Sequence, residues 1–403
     1  MEEWKEYKLG DVCSRLRSGK GIKADSVFNS GKYPVIGGNG VRGYADVPNF
    51  EGQAAIIGRQ GAYCGNVRFF EGEAYMTEHA IVAVGNELAD TRFLACLLSL
   101  MHLGNLSAQS AQPGISVQTL SKQPIRLPSI SYQKKVSAII KSLDDKIEVN
   151  RRINDNLEQQ AQALFRSWFV DFEPFRDQPF VESELGMIPE GWRVGRYEEI
   201  IEMTISGDWG KEKREGKYVH KVACIRGCDF QDIKNGLRGN TPERYILEKN
   251  YQSKHFHHND VLVEISGGTQ TVSTGRVCPV SQLLIDKFNA DIVCTNFCRV
   301  IRPIAAYAAY LYYSWLYKYN GKVMFGYENG TSGIKNFRIK DFISVEPVVI
   351  PPADLLGKFQ QFVDSVQLQI QTRGSESSRL ASLRDTLLPR LMSGELKVSE
   401  TNM

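Results

Sequence analysis

Val136, Ile140, Leu143, Ile147, Asn150, Asn154, Leu157, Ala161 and Leu164 recur at alternating intervals of four and three residues. That spacing keeps one apolar stripe on one side of a helix. The same spacing returns 223 residues later, with no insertion, as Phe359, Val363, Val366, Ile370, Arg373, Ser377, Leu380, Arg384 and Leu387. Both stripes turn polar at the same midpoint, Asn150/Asn154 in one and Arg373/Ser377 in the other. The pattern predicts two long helices of shared origin that lie on each other. The polar midpoint fixes their register at some cost in stability.

Landmarks around the helices also recur. Trp4-Lys5-Glu6-Tyr7 opens one half, and Gly191-Trp192-Arg193-Val194 opens the other. Pro113-Gly114-Ile115-Ser116, followed by Leu120, is matched by Ser332-Gly333-Ile334-Lys335, followed by Ile339. Ile125-Arg126-Leu127-Pro128 and Val348-Val349-Ile350-Pro351 then stop the chain before each helix, since proline disfavours helix in the residue before it. Between these landmarks, glycine breaks short strand-like runs such as 54–58, 80–84 and 260–265, while 91–101 and 304–319 read as helices.

The expected fold class is therefore α+β: two mixed α/β domains joined by two long helices in an antiparallel coiled coil, with a pseudo-twofold circular repeat. The expected boundaries are 1–130 for the first domain and 131–172 for its helix. A proline-rich linker takes 173–191. The second domain takes 192–352, its helix 353–397, and a tail 398–403. Pro389 should kink or end the second helix, with Gly394 as a breaker.

A chain of 403 residues exceeds one hydrophobic core. No apolar run approaches a membrane span, and the acidic start lacks the plan of a signal peptide, so a cytoplasmic location is expected. The eight cysteines are scattered. Cys224/Cys228 and Cys294/Cys298 repeat a four-residue separation, yet they read as buried free thiols and not as metal ligands. His255-Phe256-His257-His258 reads as an exposed loop, and no metal site is expected. Residues 1–130 carry 13 Lys and Arg against 12 Asp and Glu, and residues 192–350 carry 22 against 17. Binding to nucleic acid would thus depend on charge gathered on one face or on a partner.

Further segments carry a resemblance. They are Pro113-Gly114-Ile115-Ser116, Ile125-Arg126-Leu127-Pro128-Ser129-Ile130-Ser131-Tyr132-Gln133 and Leu143-Asp144-Asp145-Lys146-Ile147, then Gln162-Ala163-Leu164-Phe165-Arg166-Ser167-Trp168-Phe169-Val170-Asp171-Phe172. The most specific is Leu383-Arg384-Asp385-Thr386-Leu387-Leu388-Pro389-Arg390-Leu391-Met392-Ser393-Gly394-Glu395-Leu396. With the duplicated layout, the whole chain resembles the specificity subunit of a type I restriction-modification system. Tyr132-Gln133-Lys134 and Leu355-Leu356-Gly357 depart from the Glu-Gln pair common at the helix starts, which bears on partner contact there.

The resemblance implies a non-catalytic reader of double-stranded DNA in which each recognition domain reads one half of a split target. It also implies methyltransferase subunits docked on the helices and restriction subunits held through them. S-adenosylmethionine, ATP and magnesium would then sit on those partners, with no cofactor on this chain. A methyltransferase-only system and an interaction scaffold that binds no DNA stay open as alternatives. The chain's own motifs agree. Thr295-Asn296-Phe297-Cys298 lacks both prolines of an adenine methyltransferase loop, and no phosphate-binding loop occurs.

Base readout wants Arg, Lys, Asn and Gln held on loops. The best cluster in the first half is Arg59, Gln60 and Tyr63, with Arg17, Lys20, Lys23, Asn39, Arg42, Gln109, Ser116 and Gln118 behind it. In the second half Thr269, Gln270 and Arg276 lead, joined by Arg226, Lys234, Asn235, Arg238, Lys335, Asn336 and Lys340. Phe165, Trp168, Phe169, Leu383, Leu388 and Leu391 are the candidate docking residues for partner subunits.

Overall fold

The computed structural model describes residues 3–107, 113–288, 290–330 and 333–398. Two helices of 40 residues each, Ile130–Phe169 and Ala353–Met392, dominate it. The chain divides into two compact units, and both divisions fall inside these helices. One unit holds the residues up to Asp145 and those from Leu380 on, and the other is Lys146–Arg379. The fold is α+β.

In the first unit, a sheet orders its strands Cys13–Ser18, Ala80–Gly85, Phe50–Gly58, Val67–Met76, Tyr33–Gly37 and Gly40–Ala45. All pairings are antiparallel except Val67–Met76 with Tyr33–Gly37. The run Ala54-Ala55-Ile56-Ile57 is apolar throughout because both faces of its strand are buried. Ala55 and Ile57 meet the helix Thr91–Leu100, and Ala54 and Ile56 fill a second core. Asp90 starts that helix by accepting a hydrogen bond from the Phe93 amide at 2.9 Å, as an N-cap should. Lys5–Lys8 pairs with Pro124–Leu127, which leads into the first long helix.

The second unit has a four-stranded antiparallel sheet in the order Ile201–Ser206, Cys298–Pro303, Val261–Glu264, Val277–Pro279. The helix Ala308–Asn320 covers one face, with Trp315 fully buried and its Nε1 donating to the Gly275 carbonyl at 3.0 Å. Arg193–Arg196 pairs with Pro347–Ile350, which leads into the second long helix. A further sheet sets Tyr218–Ile225 between Glu243–Leu247 and Asp291–Cys294. On it His220 lies between Glu248, at 2.7 Å from Nδ1, and Asp291, at 2.8 Å from Nε2.

Burial by itself lowers the His220 pKa, but the two carboxylates outweigh it and hold the imidazolium above its ordinary value. The stabilisation is therefore complete below the unfolded value of about 6.5 and is lost as pH rises through the raised folded value. The melting temperature of the wild type should fall over that window. His220→Gln should flatten the profile, and equal slopes would refute the assignment.

Several expectations need correction. Phe165 and Phe169 are each 3% exposed and Leu391 1%, so they are core residues and not docking surface. Phe169 packs edge-to-face on Phe359 and tilted against Trp192, at 5.2 and 6.1 Å between ring centroids. Trp168 and Leu388 are half-buried, and only Leu383 of the six is exposed. The apolar stripe drifts: Phe165, next to the expected Leu164, takes the inward place, because a helix of 3.6 residues per turn outruns a heptad. The proline-rich segment is no bare linker. Its strands Phe180–Ser183 and Gly186–Pro189 pair, while Phe172 and Ile188 enter the second unit's core. Tyr132 is buried, and its hydroxyl donates to the Leu396 carbonyl at 2.9 Å. Pro389 leaves the helix unbroken for a further turn to Met392, and Gly394 ends it at φ +75°.

The polar midpoint is used in two ways, of which the pairing of Asn150 with Ser377 is the expected one. Asn150 Nδ2 donates to Glu376 and Ser377 at 2.8 and 3.3 Å, but Asn154 does not meet Arg373. Its Nδ2 donates to the carbonyls of Ile370 and Asn235, at 3.3 and 3.1 Å. Arg373 bonds back to Gln369. A backbone loop thus sits against the two helices of this unit. Gly236, at φ +74°, packs on Gly374, and Lys287 Nζ donates to the carbonyls of Gly236 and Gln371 at 2.6 and 3.0 Å. Burial lowers the Lys287 pKa to about 8. Asn154 is polar because a buried carbonyl of that loop needs a donor.

Candidate nucleic-acid interface

Glycine lets three loops of the first unit converge at one end of its sheet. A Cβ at Gly19 would lie 2.1 Å from the Met76 carbonyl oxygen, and one at Gly58 would lie 2.2 Å from that of Tyr63 and 2.9 Å from that of Gly38. Backbone hydrogen bonds tie the loops together. Lys20 N donates to Met76 O, Arg59 N to His79 O and Ile115 N to Arg59 O, each at 2.9 Å. At the centre stands Thr77, fully buried, opening a turn that Ala80 N closes onto Thr77 O at 3.0 Å. Glu78 and His79 project from that turn, with side chains 42% and 44% exposed.

This end gathers several of the expected residues. Lys20, Asn39, Arg42, Gln60 and Tyr63 are exposed, and Arg68 Nη2 donates to Asn39 Oδ1 at 3.2 Å. Arg59 is half-buried, with Nη1 3.4 Å from the Glu78 carbonyl. Arg17 is exposed on its strand, Lys23 stands before the turn Ala24–Ser26, and Gln118 is exposed on the helix Val117–Ser121. Ser116 is occupied as that helix's N-cap, accepting from Thr119 N at 2.9 Å. Gln109 lies outside the described residues.

In the second unit the fold claims half of the expected readers. Arg276 forks onto Glu264 at 2.8 and 2.6 Å. Arg226 holds Asp229, and Lys335 holds Glu328 at 2.8 Å. Each of these carboxylates is 10% exposed or less, so a charge withdrawn to DNA would strand a buried anion. Lys234 turns towards the Tyr312 ring, and burial lowers its pKa. The Asn235 carbonyl is taken by Asn154. Arg238, Gln270, Asn336 and Lys340 stay exposed, as does Thr269, whose hydroxyl closes its own turn.

A turn not among the expected readers occupies the centre of this end too. Thr295 is 3% exposed, Cys298 N donates to its carbonyl at 3.0 Å, and Asn296 and Phe297 project, the latter 60% exposed. Ile265 N donates to Phe297 O at 2.8 Å, and Phe337 N to Ile265 O at 2.9 Å. These bonds have the same pattern as Arg59 N to His79 O and Ile115 N to Arg59 O. Phe337, not Ile334, therefore corresponds to Ile115; Ile334 is 64% exposed. The Gly-Ile pair seen in the sequence sits three residues off the structural match. Thr295 was visible in the sequence, but only beside a methyltransferase motif that it fails to complete.

Cys224, Cys294 and Cys298 are buried, and burial pushes the Cys224 and Cys298 thiols up to about 12, whereas Cys228 is exposed. Among the described residues no His, Cys, Asp or Glu cluster could hold a metal ion, and no helix is long and apolar enough to cross a membrane.

Residues 1–159 match the type I restriction modification DNA specificity domain. The HindI specificity subunit of Haemophilus influenzae is 25% identical over 98% of this chain and 100% of its own length. The chain is thus similar along nearly its whole length to a type I specificity subunit, and its first 159 residues match that domain. The MjaIX specificity subunit of Methanocaldococcus jannaschii is 28% identical over 74% of this chain, a match spanning 66% of that protein. The EcoprrI specificity subunit of Escherichia coli is 36% identical over 35% of this chain and 36% of its own. A crystal structure of the S subunit from M. genitalium shares the fold, with a TM-score of 0.56 and 15% identity over 97% of this chain and 96% of that one. A DNA specificity domain is thus matched by a chain whose two units each expose polar loops at one end of a sheet.

Proposed function

We propose that this chain reads a split target on double-stranded DNA, one half with each unit, and carries methyltransferase subunits and, through them, restriction subunits. The chain itself is non-catalytic on this reading. S-adenosylmethionine, ATP and magnesium belong to those partners. The carrying observation is the recurrence of one strand arrangement. Cys13–Ser18, Ala80–Gly85, Phe50–Gly58 and Val67–Met76 have the order and antiparallel sense of Ile201–Ser206, Cys298–Pro303, Val261–Glu264 and Val277–Pro279. Each set is followed by a helix, a clasp strand and a 40-residue helix. A duplicated reader suits a target with two halves and an unread spacer.

On this reading the two long helices form an antiparallel coiled coil in a pseudo-twofold repeat. The partners of Asn150 and Asn154, Ser377 and Ile370, run in the opposite sequence order, which supports the antiparallel sense. The helices then set the spacer. One heptad added to both, about 10 Å at 1.5 Å per residue, should lengthen the spacer by about three base pairs and leave the half-site bases unchanged. Selection from a random duplex library, with the methyltransferase partner present, reads both. An altered half-site with an unaltered spacer would refute the ruler, and no split motif at all would refute the DNA reader.

A further inference from the structure

We infer that the turns Thr77-Glu78-His79 and Thr295-Asn296-Phe297 are the base-reading elements, each setting specificity in one half-site. The inference rests on the split-target reading above. It stands on a frame that is the same in both units and side chains that are not. In each turn the threonine is buried, the residue three positions on donates to its carbonyl, and the carbonyl before that donor is bonded by the loop leaving the sheet's third strand. A glycine of the neighbouring loop is forced in both places: a Cβ at Gly207 would lie 1.9 Å from the Thr295 carbonyl oxygen, and one at Gly19 would lie 2.6 Å from that of Thr77. The backbone is thus held from two sides, which fixes where the exposed pair points. Such preorganisation suits discrimination between base edges.

The exposed pairs differ in chemistry. Asn296 takes no side-chain hydrogen bond among the described residues, and Phe297 shows an aromatic face to solvent with no core to serve. An asparagine amide matches the donor and acceptor of adenine in the major groove, and an apolar ring packs on the thymine methyl. In the first unit the Glu78 side chain is 42% exposed, and its Oε1 lies 3.3 Å from His79 Nε2. A carboxylate oxygen of that kind accepts from the cytosine N4 amine. The second unit's half-site should therefore hold a required A·T pair, and the first unit's a required G·C pair.

The test is selection of the full chain, with the methyltransferase partner present, on a random duplex DNA library, comparing wild type with Asn296→Ala, Phe297→Ala and Glu78→Gln. Asn296 and Phe297 are exposed and Glu78 is half-buried, and melting temperatures near that of the wild type exclude unfolding. Asn296→Ala and Phe297→Ala should relax one or two positions in one half-site by about tenfold each. Glu78→Gln should relax a position in the other, with the spacer unchanged in every case. If the wild type selects a split motif and the variants keep it, or lose affinity equally for all sequences, this inference falls and the split-target reading stands. A wild type that selects no motif overturns both.

Discussion

Arg302→Ala should destabilise the second unit by about 3–5 kcal/mol. Asp260, whose side chain is fully buried, accepts Nε and Nη2 of Arg302, both at 2.9 Å, and the His257 amide at 2.7 Å. Removing the guanidinium strands a buried carboxylate that one amide cannot satisfy. The cost comes mainly from the anion left behind and less from the worth of the pair. Asp260→Asn combined with Arg302→Met should therefore recover most of the loss, because the asparagine oxygen still accepts from His257. Denaturant unfolding of both variants decides it. A double variant no more stable than the single would show that packing of the arginine stem, and not charge, carried the effect. Arg302 lies at the end of its strand remote from Phe297, so half-site preference should survive wherever the protein remains folded.

Gly374→Ala should lower stability, by about 1–3 kcal/mol, although alanine normally improves on glycine inside a helix by up to about 1 kcal/mol. The added Cβ would fall 2.2 Å from the Gly236 carbonyl oxygen. That oxygen is backbone, held by Lys287 and in a loop whose carbonyls are also bound by Asn154 and Gln371. It cannot yield without breaking these bonds. Gly357 on the same helix is the control: its Cβ would meet nothing within 4 Å, so Gly357→Ala should stabilise by about 0.5–1 kcal/mol. Opposite signs for one substitution on one helix isolate the loop contact. If Gly374→Ala also stabilises, the docked loop is not the reason that Asn154 is polar.

The accuracy of the sequence pattern differed by element. Val136, Ile140, Phe359, Val363, Val366 and Ile370 are buried as their heptads require. Strands read at 54–58, 80–84 and 260–265 exist with small shifts of boundary. The glycine loop Gly58-Arg59-Gln60-Gly61 does reach one end of a sheet. The charged candidates fared worse: Arg226, Arg276 and Lys335 carry the charge that readout wants, yet each neutralises a carboxylate 3 to 12 residues away. Sequence cannot separate an arginine held for DNA from one held by a buried acid, since both are the same residue on a loop near a strand. The aromatic residues after Leu164 misled for a related reason. An amphipathic stripe says that a face is covered, but not by what, and in this chain its own strands and helices cover it.

The duplicated heptads determined two long helices and two halves, because periodicity is a local property that survives any packing. The α+β class followed from the glycine-broken runs between them. Tertiary structure alone decided that Thr77 and Thr295 occupy one place in one strand order, that Asn154 holds a loop, and which cations stay exposed. Those outcomes depend on contacts between residues tens to hundreds of positions apart, such as Asn154 with Ile370 and Gly207 with Thr295. Whether such a contact forms depends on the shape and burial of everything between the two residues, which one-dimensional spacing does not carry.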